Sequence, residues 1–296
     1  MDTNDVVMFK CLDVSVAVKL PDLKQVEDLK FWLERFCPAV ETDNRNSAGA
    51  DYLITCKHSD KNNYTITSKQ SISLYSTWNY DYGAFLAKFI TQVFQKILNS
   101  EDFYIFPSAC VVKDNKAVLI LGDYWQGKTS VALNTFSLDQ NVNIISDNYV
   151  IIKKRRVLYG TKYISLRKEN ISRYDKLLDT NKIKEVNSRT FFEYSNKKAP
   201  SKIVGCVIPY INQGDDNLHV VSKEESAWYL YQKMSRIING DTVLFNGMYP
   251  SPNFDDKMSA IKRLNYVKRF LLFSDLHYAS SNIDRISNYI LKIMEN

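Results

Sequence analysis

Hydrophobic positions in the first hundred residues predict a mixture of strands and helices. Residues 7–20 place apolar side chains at every second position, which is typical of a half-buried strand. After Pro21, apolar residues from Val26 to Phe36 share one helical face and predict a short helix. A polar loop is then predicted at 41–50. Short strands are predicted at 52–56, 64–67 and 72–75, and the clearest helix at 83–98.

The pattern changes near residue 100. A turn is expected at Asp114-Asn115, because both residue types favour turns, and a basic hairpin tip is expected at 153–156. Strands are predicted at 108–113, 116–121, 142–146, 150–152, 157–159 and 203–211. Helices are predicted at 128–138, 223–238, 257–272 and 282–294. We therefore predict an α/β fold with an N-terminal portion at 1–100 and a second domain at 101–296.

Composition and charge limit the classes of protein to which the chain can belong. Its 296 residues allow one large or two modest domains, and a net charge of +6 is too small to predict nucleic-acid binding. The five cysteines are widely spaced, which favours a reducing compartment, and the three histidines lack metal-ligand spacing. The N-terminus is acidic, and no apolar run approaches the length of about 18 residues that a membrane helix needs. We expect a cytoplasmic protein without a membrane or nucleic-acid partner; its oligomeric state, including self-association, stays open.

Residues 122–129 match the phosphate-binding pattern G-x-x-x-x-G-K-[ST] at every fixed position. A predicted strand precedes this loop and a predicted helix follows it. In such a loop, backbone amides and the helix N-terminus surround phosphates, the lysine contacts the β- and γ-phosphates, and the threonine hydroxyl binds Mg²⁺. The candidate nucleotide-binding residues are Gly122, Asp123, Tyr124, Trp125, Gln126, Gly127, Lys128, Thr129 and Ser130.

Trp125 puts a bulky side chain in the middle of this loop. If it adopts a positive φ angle, the conformation costs about 1 kcal/mol or more. Two interpretations stay open. The aromatic side chains of a degenerate loop fill the phosphate site, or Trp125 covers a bound ligand.

Asp147 follows the buried strand 142–146 and is the leading candidate for an acid. It stands 19 residues after Lys128, an interval that fits the strand next to the loop. Ligands of open α/β sheets bind at the carboxyl ends of strands, where this residue is expected. It would orient a metal ion through water or accept a proton from an attacking hydroxyl. The alternative is an aspartate that only shapes the Asp147-Asn148 turn.

The segments FPSACVVKDNKAVLILGDYWQGKTSVAL and NVNIISDNYVII, within residues 105–152, resemble the catalytic core of HPr kinase/phosphorylase. That fold group includes ATP-dependent phosphoenolpyruvate carboxykinase, and residues 163–170 resemble a later segment more weakly. The resemblance implies a mixed-sheet P-loop core with an N-terminal α/β portion and C-terminal helices. It also implies phosphate and Mg²⁺ roles for Lys128 and Thr129, and proton removal from a substrate serine by Asp147, which would also lie at the metal.

Other charged residues are candidates to support this chemistry. Arg167 and Arg236 would stabilise a transferring phosphate, because developing negative charge needs a cation. Glu169 and Glu193 would complete a metal site. Each of these residues has an alternative as an ordinary surface side chain.

Three positions depart from the family pattern. Pro107 stands where the family often has a histidine, Asn148 replaces a second acid, and Trp125 replaces the middle glycine of the loop. These departures put the phosphorylase direction in doubt and favour a second hypothesis beside catalysis. The leading hypothesis is a Mg-ATP-dependent kinase that acts on a Ser or Thr hydroxyl of a small protein or precursor peptide. The alternatives are a non-catalytic ATP-binding sensor or partner-binding protein and, third, a small-molecule phosphotransferase.

Overall fold

A computed structural model describes residues 6–43, 49–77, 82–123, 125–174, 182–186, 188–194, 200–214, 216–239, 243–244 and 249–295. The chain divides into two compact units. The first contains residues 1–103 and 235–260, and the second contains residues 104–234 and 261–296. The division at residue 103 lies close to the boundary predicted near residue 100. Residues 235–260, however, group with the N-terminal residues.

The described residues form many short strands and helices. The strands are β1 (Val6–Cys11), β2 (Val14–Lys19), β3 (Val40–Asp43), β4 (Tyr52–His58), β5 (Asn63–Ser68), β6 (Ser71–Ser76), β7 (Phe103–Pro107), β8 (Ala109–Lys113), β9 (Lys116–Ile120), β10 (Asn143–Ser146), β11 (Tyr149–Lys153), β12 (Arg156–Gly160), β13 (Tyr163–Arg167), β14 (Lys182–Val186), β15 (Arg189–Glu193), β16 (Ser201–Ile211), β17 (Asn217–Val220), β18 (Val243–Leu244), β19 (Tyr249–Pro250) and β20 (Asp275–Ser281). The helices are α1 (Val26–Phe36), α2 (Tyr82–Leu98), α3 (Lys128–Leu138), α4 (Lys168–Tyr174), α5 (Lys223–Arg236), α6 (Lys257–Phe270) and α7 (Ile283–Glu295).

The first unit contains a six-stranded sheet in the order β3-β1-β2-β4-β6-β5. The single strand predicted at 7–20 is wrong, because β1 and β2 form an antiparallel hairpin in which Cys11 pairs with Val14. Leu12 adopts a φ angle of 56° and reverses the chain, although its apolar side chain continues the strand pattern. The prediction of a loop at 41–50 is wrong at its start, because residues 41–43 belong to β3, which pairs with β1. Residues 44–48 lie outside the described part of the chain.

Residues 235–260 complete the core of this first unit. Phe254 packs with its ring centroid 6.2 Å from that of Tyr52 and 5.9 Å from that of Phe89. The buried amide of Gln92 donates hydrogen bonds to the carbonyl oxygens of Ile238, at 3.3 Å, and Pro252, at 2.7 Å. Buried amide groups need such partners, so the later segment satisfies a polar group that α2 buries.

The second unit contains a nine-stranded mixed sheet. Its main path runs β10-β8-β9-β16-β12-β11-β7, with β20 on β16 and β17 on β20. Strand β16 is parallel to β9 and β20, whereas β8 is antiparallel to both β9 and β10. The expectation that β10 lies next to β9 is therefore wrong, since β8 separates them. Two antiparallel steps nevertheless leave β9 and β10 pointing in the same direction, so their carboxyl ends meet at one edge.

Helices cover both faces of this sheet. Side chains of β8 alternate between the two faces, as the pleat requires. Val111 joins the core formed with α3 and α7, and Cys110 joins the core formed with α5 and α6. A separate three-stranded sheet has the order β13-β15-β14. The predicted α/β class is confirmed, with a mixed sheet and helices on both faces.

The five cysteines are buried, and none forms a disulfide. Burial raises the pKa of the Cys110 and Cys206 thiols well above their ordinary value, because the thiolate is poorly solvated there. These thiols are therefore poor nucleophiles. None of the helices in the described ranges has the length and hydropathy needed to cross a bilayer.

Candidate functional site

The 122–129 loop connects the carboxyl end of β9 to the N-terminus of α3. The amide of Leu121 still belongs to the sheet, since it donates to the carbonyl oxygen of Val207 at 2.8 Å. Gly127 has a φ angle of 79°, and its carbonyl oxygen accepts the amide of Val131 at 2.9 Å, which begins the helix. A Cβ atom at this glycine would also overlap the side chain of Ile211. Glycine is therefore favoured by the backbone conformation, and a larger residue would also displace the end of the Ile211 side chain.

Side chains of the loop contact its own backbone. The amide of Asp123 donates to Oε1 of Gln126 at 2.6 Å, and Nζ of Lys128 donates to the carbonyl oxygen of Asp123 at 2.7 Å. The side chain of Gln126 lies so close to Gly122 that a Cβ atom there would overlap it. A phosphate ligand that used these groups would have to exchange with the glutamine oxygen and the Asp123 carbonyl.

Trp125 points away from this loop interior. Its side chain is 75% exposed, and its φ angle is 77°, in the left-handed region that bulky residues rarely adopt. The Cζ atom of Arg167 lies 3.1 Å from the indole centroid, and that of Arg189 lies 5.9 Å from it. The side chain that enters the loop is Gln126, not Trp125. Tyr124 lies outside the described residues.

Asp147, which follows β10, lies beside the first turn of α3, which follows β9 and the loop. The two meet although β8 lies between β9 and β10 in the sheet. Asp147 is 3% exposed and accepts the Thr129 hydroxyl on Oδ1. Its Oδ2 accepts the Ser165 amide at 3.0 Å and the Ser165 hydroxyl at 3.4 Å. The structure thus brings together Lys128, Thr129 and Asp147, and it adds Ser165, which no sequence motif indicated.

The candidate arginines and glutamates occupy different places. Arg167 approaches the loop through Trp125 and contacts Glu169 at 3.3 Å. Glu193 instead contacts Lys162 at 3.3 Å, at the other end of the β13–β15 ladder. Arg236 is the last residue of α5 and groups with the first unit.

Lys233 is a second residue that sequence reasoning missed. Its Nζ lies 2.7 Å from Oδ1 of Asp123 in the loop, and its side chain is only 9% exposed. Lysine is almost never this buried unless it is paired. One feature of the sequence could have identified Lys233. It is a lysine on the apolar face of α5, between Leu230 and Met234, which are both buried.

Polar atoms beside Asp147 retain hydrogen-bonding capacity. The carbonyl oxygen of Asn148 accepts the amide of Ser108 at 2.9 Å, which ties β10 to the segment after β7. The buried Oγ of Ser108 and Nδ2 of Asn148 have no hydrogen-bond partner among the described residues. Such groups are normally satisfied by water, an ion or a ligand.

Within the described ranges, no group of three or more His, Cys, Asp and Glu side chains is placed to hold a metal ion. Any metal at this site would therefore need further ligands from bound phosphate or water. No protein family model matches the sequence, and no curated protein matches it significantly.

Proposed function

We propose that the chain is a Mg-ATP-dependent phosphotransferase that acts on a Ser or Thr hydroxyl of a small protein or peptide. The observation that carries the proposal is the hydrogen bond from Thr129, in the first turn of α3, to the buried carboxylate of Asp147. This bond joins the motif's metal-binding hydroxyl to the candidate base. The proposal includes a core of the HPr kinase type, nucleotide binding within residues 101–296, and a cytoplasmic location.

The 122–129 loop would bind the triphosphate of ATP. The backbone amides at the N-terminus of α3 and the positive end of the helix dipole favour an anion at this position. Lys128 would exchange the carbonyl oxygen of Asp123 for phosphate oxygens. Because a phosphate carries a full negative charge and a carbonyl only a partial one, the exchange is favourable.

The residues beside Asp147 fit a hydrated Mg²⁺ ion. Mg²⁺ prefers oxygen ligands and keeps several waters, and Thr129 and Asp147 offer a hydroxyl and a carboxylate side by side. The buried hydroxyl of Ser108, which has no hydrogen-bond partner among the described residues, could accept a hydrogen bond from such a water. When bound, the ion neutralises charge on the β- and γ-phosphates.

Asp147 would orient the acceptor hydroxyl and accept its proton. Three donated hydrogen bonds, from Thr129 and Ser165, fix the carboxylate, so little reorientation is needed in the reaction. Arg167 would supply positive charge to the transferring phosphate after it leaves the Trp125 ring. Positioning and charge stabilisation of this kind account for most of the catalysis of phosphoryl transfer.

Calorimetry with Mg-ATP and intact-mass analysis of candidate acceptors test this proposal. We expect Lys128→Ala to lose Mg-ATP binding and phosphate transfer, because the phosphates lose their nearest cation. Asp147→Asn should weaken Mg-ATP binding only in part, because Thr129 and the loop remain, and should lose transfer by at least about a hundredfold, the usual contribution of a general base. Lys202→Ala, at an exposed position of β16, is the matched control. Undiminished transfer by Lys128→Ala would refute the assignment.

A non-catalytic ATP sensor is the second candidate function. The contacts of Gln126 and Lys128 with the Asp123 backbone favour it, because a loop stabilised without ligand can report ligand binding by rearranging. Under this hypothesis wild type binds Mg-ATP and transfers phosphate to no acceptor. Asp147→Asn would then leave the biological function intact.

A further inference from the structure

Two arginines face each other across neighbouring strands near Asp147. Arg167 in β13 and Arg189 in β15 are directly paired in the antiparallel ladder. Like charges at paired positions are destabilising, so this arrangement carries an energetic cost within the sheet. Both guanidinium groups also approach the same indole, that of Trp125.

The contacts around this arginine pair leave positive charge uncompensated. Arg167 contacts one carboxylate, that of Glu169, which is itself largely exposed. Arg189 donates to the neutral hydroxyl of Ser165 at 3.1 Å. Among the described residues, one carboxylate, that of Glu169, contacts the pair directly, and it contacts Arg167 alone.

Trp125 is a second, independent sign of a ligand at this place. A large aromatic ring is held in solvent on a backbone whose φ angle of 77° is unfavourable for it. Such strain persists where the surrounding structure enforces it, and it concentrates at functional sites. An exposed tryptophan that stacks with arginine offers a flat surface rimmed by positive charge.

The position of Arg189 relative to Asp147 indicates which ligand these side chains contact. Oδ1 of Asp147 accepts Thr129, on the side of the 122–129 loop and the nucleotide. Oδ2 accepts Ser165, and Ser165 accepts Arg189. Arg189 is therefore linked through Ser165 to the carboxylate oxygen that does not accept Thr129, so a side chain bound at Arg189 would lie next to the candidate base and the acceptor hydroxyl.

We propose that Arg189, Arg167 and Trp125 form an acceptor subsite that binds an acidic side chain next to the reacting hydroxyl. The inference rests on the proposed phosphotransferase function and names its substrate class, an acidic peptide segment. Arg189 binds the carboxylate side chain, and the Trp125 ring holds the two guanidinium groups in place. Arg167 adds charge to this subsite before it contacts the transferring phosphate. Arginine suits this task because its planar group can contact a carboxylate and an aromatic ring together.

Titration with two blocked peptides, tetraglutamate and tetraglutamine, tests the subsite without knowledge of the natural acceptor. We expect tetraglutamate to bind, to change the fluorescence of Trp125, and to weaken as salt is added. Tetraglutamine should not bind. Arg189→Gln should lower the affinity for tetraglutamate about tenfold, the effect of one charge-assisted hydrogen bond, and leave Mg-ATP affinity unchanged. Arg173→Gln, at an exposed position of α4, is the matched control.

Three results would overturn the subsite. Equal binding of the two peptides, or wild-type affinity of Arg189→Gln for tetraglutamate, contradicts it. A loss of Mg-ATP affinity in Arg189→Gln would assign the arginines to the nucleotide instead. Should Arg189→Gln fail to fold, Arg189→Lys provides the test, and we expect it to bind tetraglutamate more weakly than wild type. If wild type binds tetraglutamate but no Mg-ATP, the proposed function fails while the anion site itself stands.

Discussion

Replacement of Trp125 by alanine and by glycine separates backbone strain from side-chain contact. Alanine removes the stacking with Arg167, worth about 0.5–1 kcal/mol at an exposed site, and keeps the unfavourable φ angle. Glycine removes a strain of about 1–2 kcal/mol and adds an entropy cost of about 0.5–1 kcal/mol. We therefore expect Trp125→Gly to be more stable than Trp125→Ala by about 0.5–1 kcal/mol, and close to wild type.

Trp228 provides the matched control for this comparison. It lies within α5 and is 66% exposed, against 75% for Trp125. In a helix alanine is favoured over glycine by about 1 kcal/mol, so the order of the two variants should reverse at this site.

Urea denaturation measures these differences in the free energy of unfolding. Far-ultraviolet circular dichroism follows the helices and strands, so the signal does not depend on the removed tryptophans. Equal stability of the alanine and glycine variants at residue 125 would show that no backbone strain is relieved there. A destabilisation of more than about 2 kcal/mol in Trp125→Gly would also contradict the expectation, because so exposed a ring cannot contribute that much burial.

Three further changes have defined outcomes. Gly160→Ala should lower the free energy of unfolding by about 1–3 kcal/mol in chemical denaturation, because its Cβ would overlap a backbone carbonyl of β10. Lys233→Gln should weaken Mg-ATP binding about tenfold in calorimetry, because the Asp123 carboxylate would face the phosphates without its cation. Burial lowers the pKa of His277 below its ordinary value of 6.5, so the folded state holds the neutral ring and the unfolded state binds the proton more readily. The free energy of unfolding should therefore fall as the pH drops through about 6.5, and His277→Gln should reduce this slope.

Each of these changes has a control and a contradicting result. Gly214→Ala should be nearly neutral, since a Cβ atom added there would meet nothing within 4 Å; equal costs at both glycines would contradict the overlap argument. Lys223→Gln, at the exposed start of α5, is the control for Lys233→Gln, because the Lys223 side chain contacts Asp275 at 2.7 Å instead. An unchanged Mg-ATP affinity in Lys233→Gln would remove Lys233 from the site. Asn288→Gln, at an exposed position of α7 without a titratable group, should keep the wild-type slope, and an unchanged slope in His277→Gln would contradict the role of burial.

Most elements of the second unit were predictable from the sequence, because turn residues and apolar periodicity mark them within a few residues. Asp114 and Asn115 adopt φ angles of 49° and 60°, and both residue types tolerate this region, so the turn between β8 and β9 was predictable. The start of α3 at Lys128 followed from the glycine before it. The turn at Leu12 was not predictable in this way, because an apolar residue in a left-handed turn looks like one more strand position.

The candidate site was predictable only where a motif fixes the spacing. Lys128 and Thr129 belong to such a motif, and Asp147 follows a recognisable buried strand. Strand order is not a local property, so the position of β8 between β9 and β10 could not be predicted. Ser165 and Lys233 reach the site through tertiary contacts, 18 residues from Asp147 and 110 residues from Asp123 along the chain.

The grouping of residues 235–260 with residues 1–103 has a consequence for synthesis on the ribosome. The N-terminal residues emerge first, yet Gln92 and Phe89 must wait for Pro252 and Phe254 before their native contacts can form. Translation at about 5–20 residues per second makes this delay many seconds long. During that interval an incomplete apolar surface is exposed to chaperones, because the unit whose synthesis begins first cannot complete its core until Phe254 has been made.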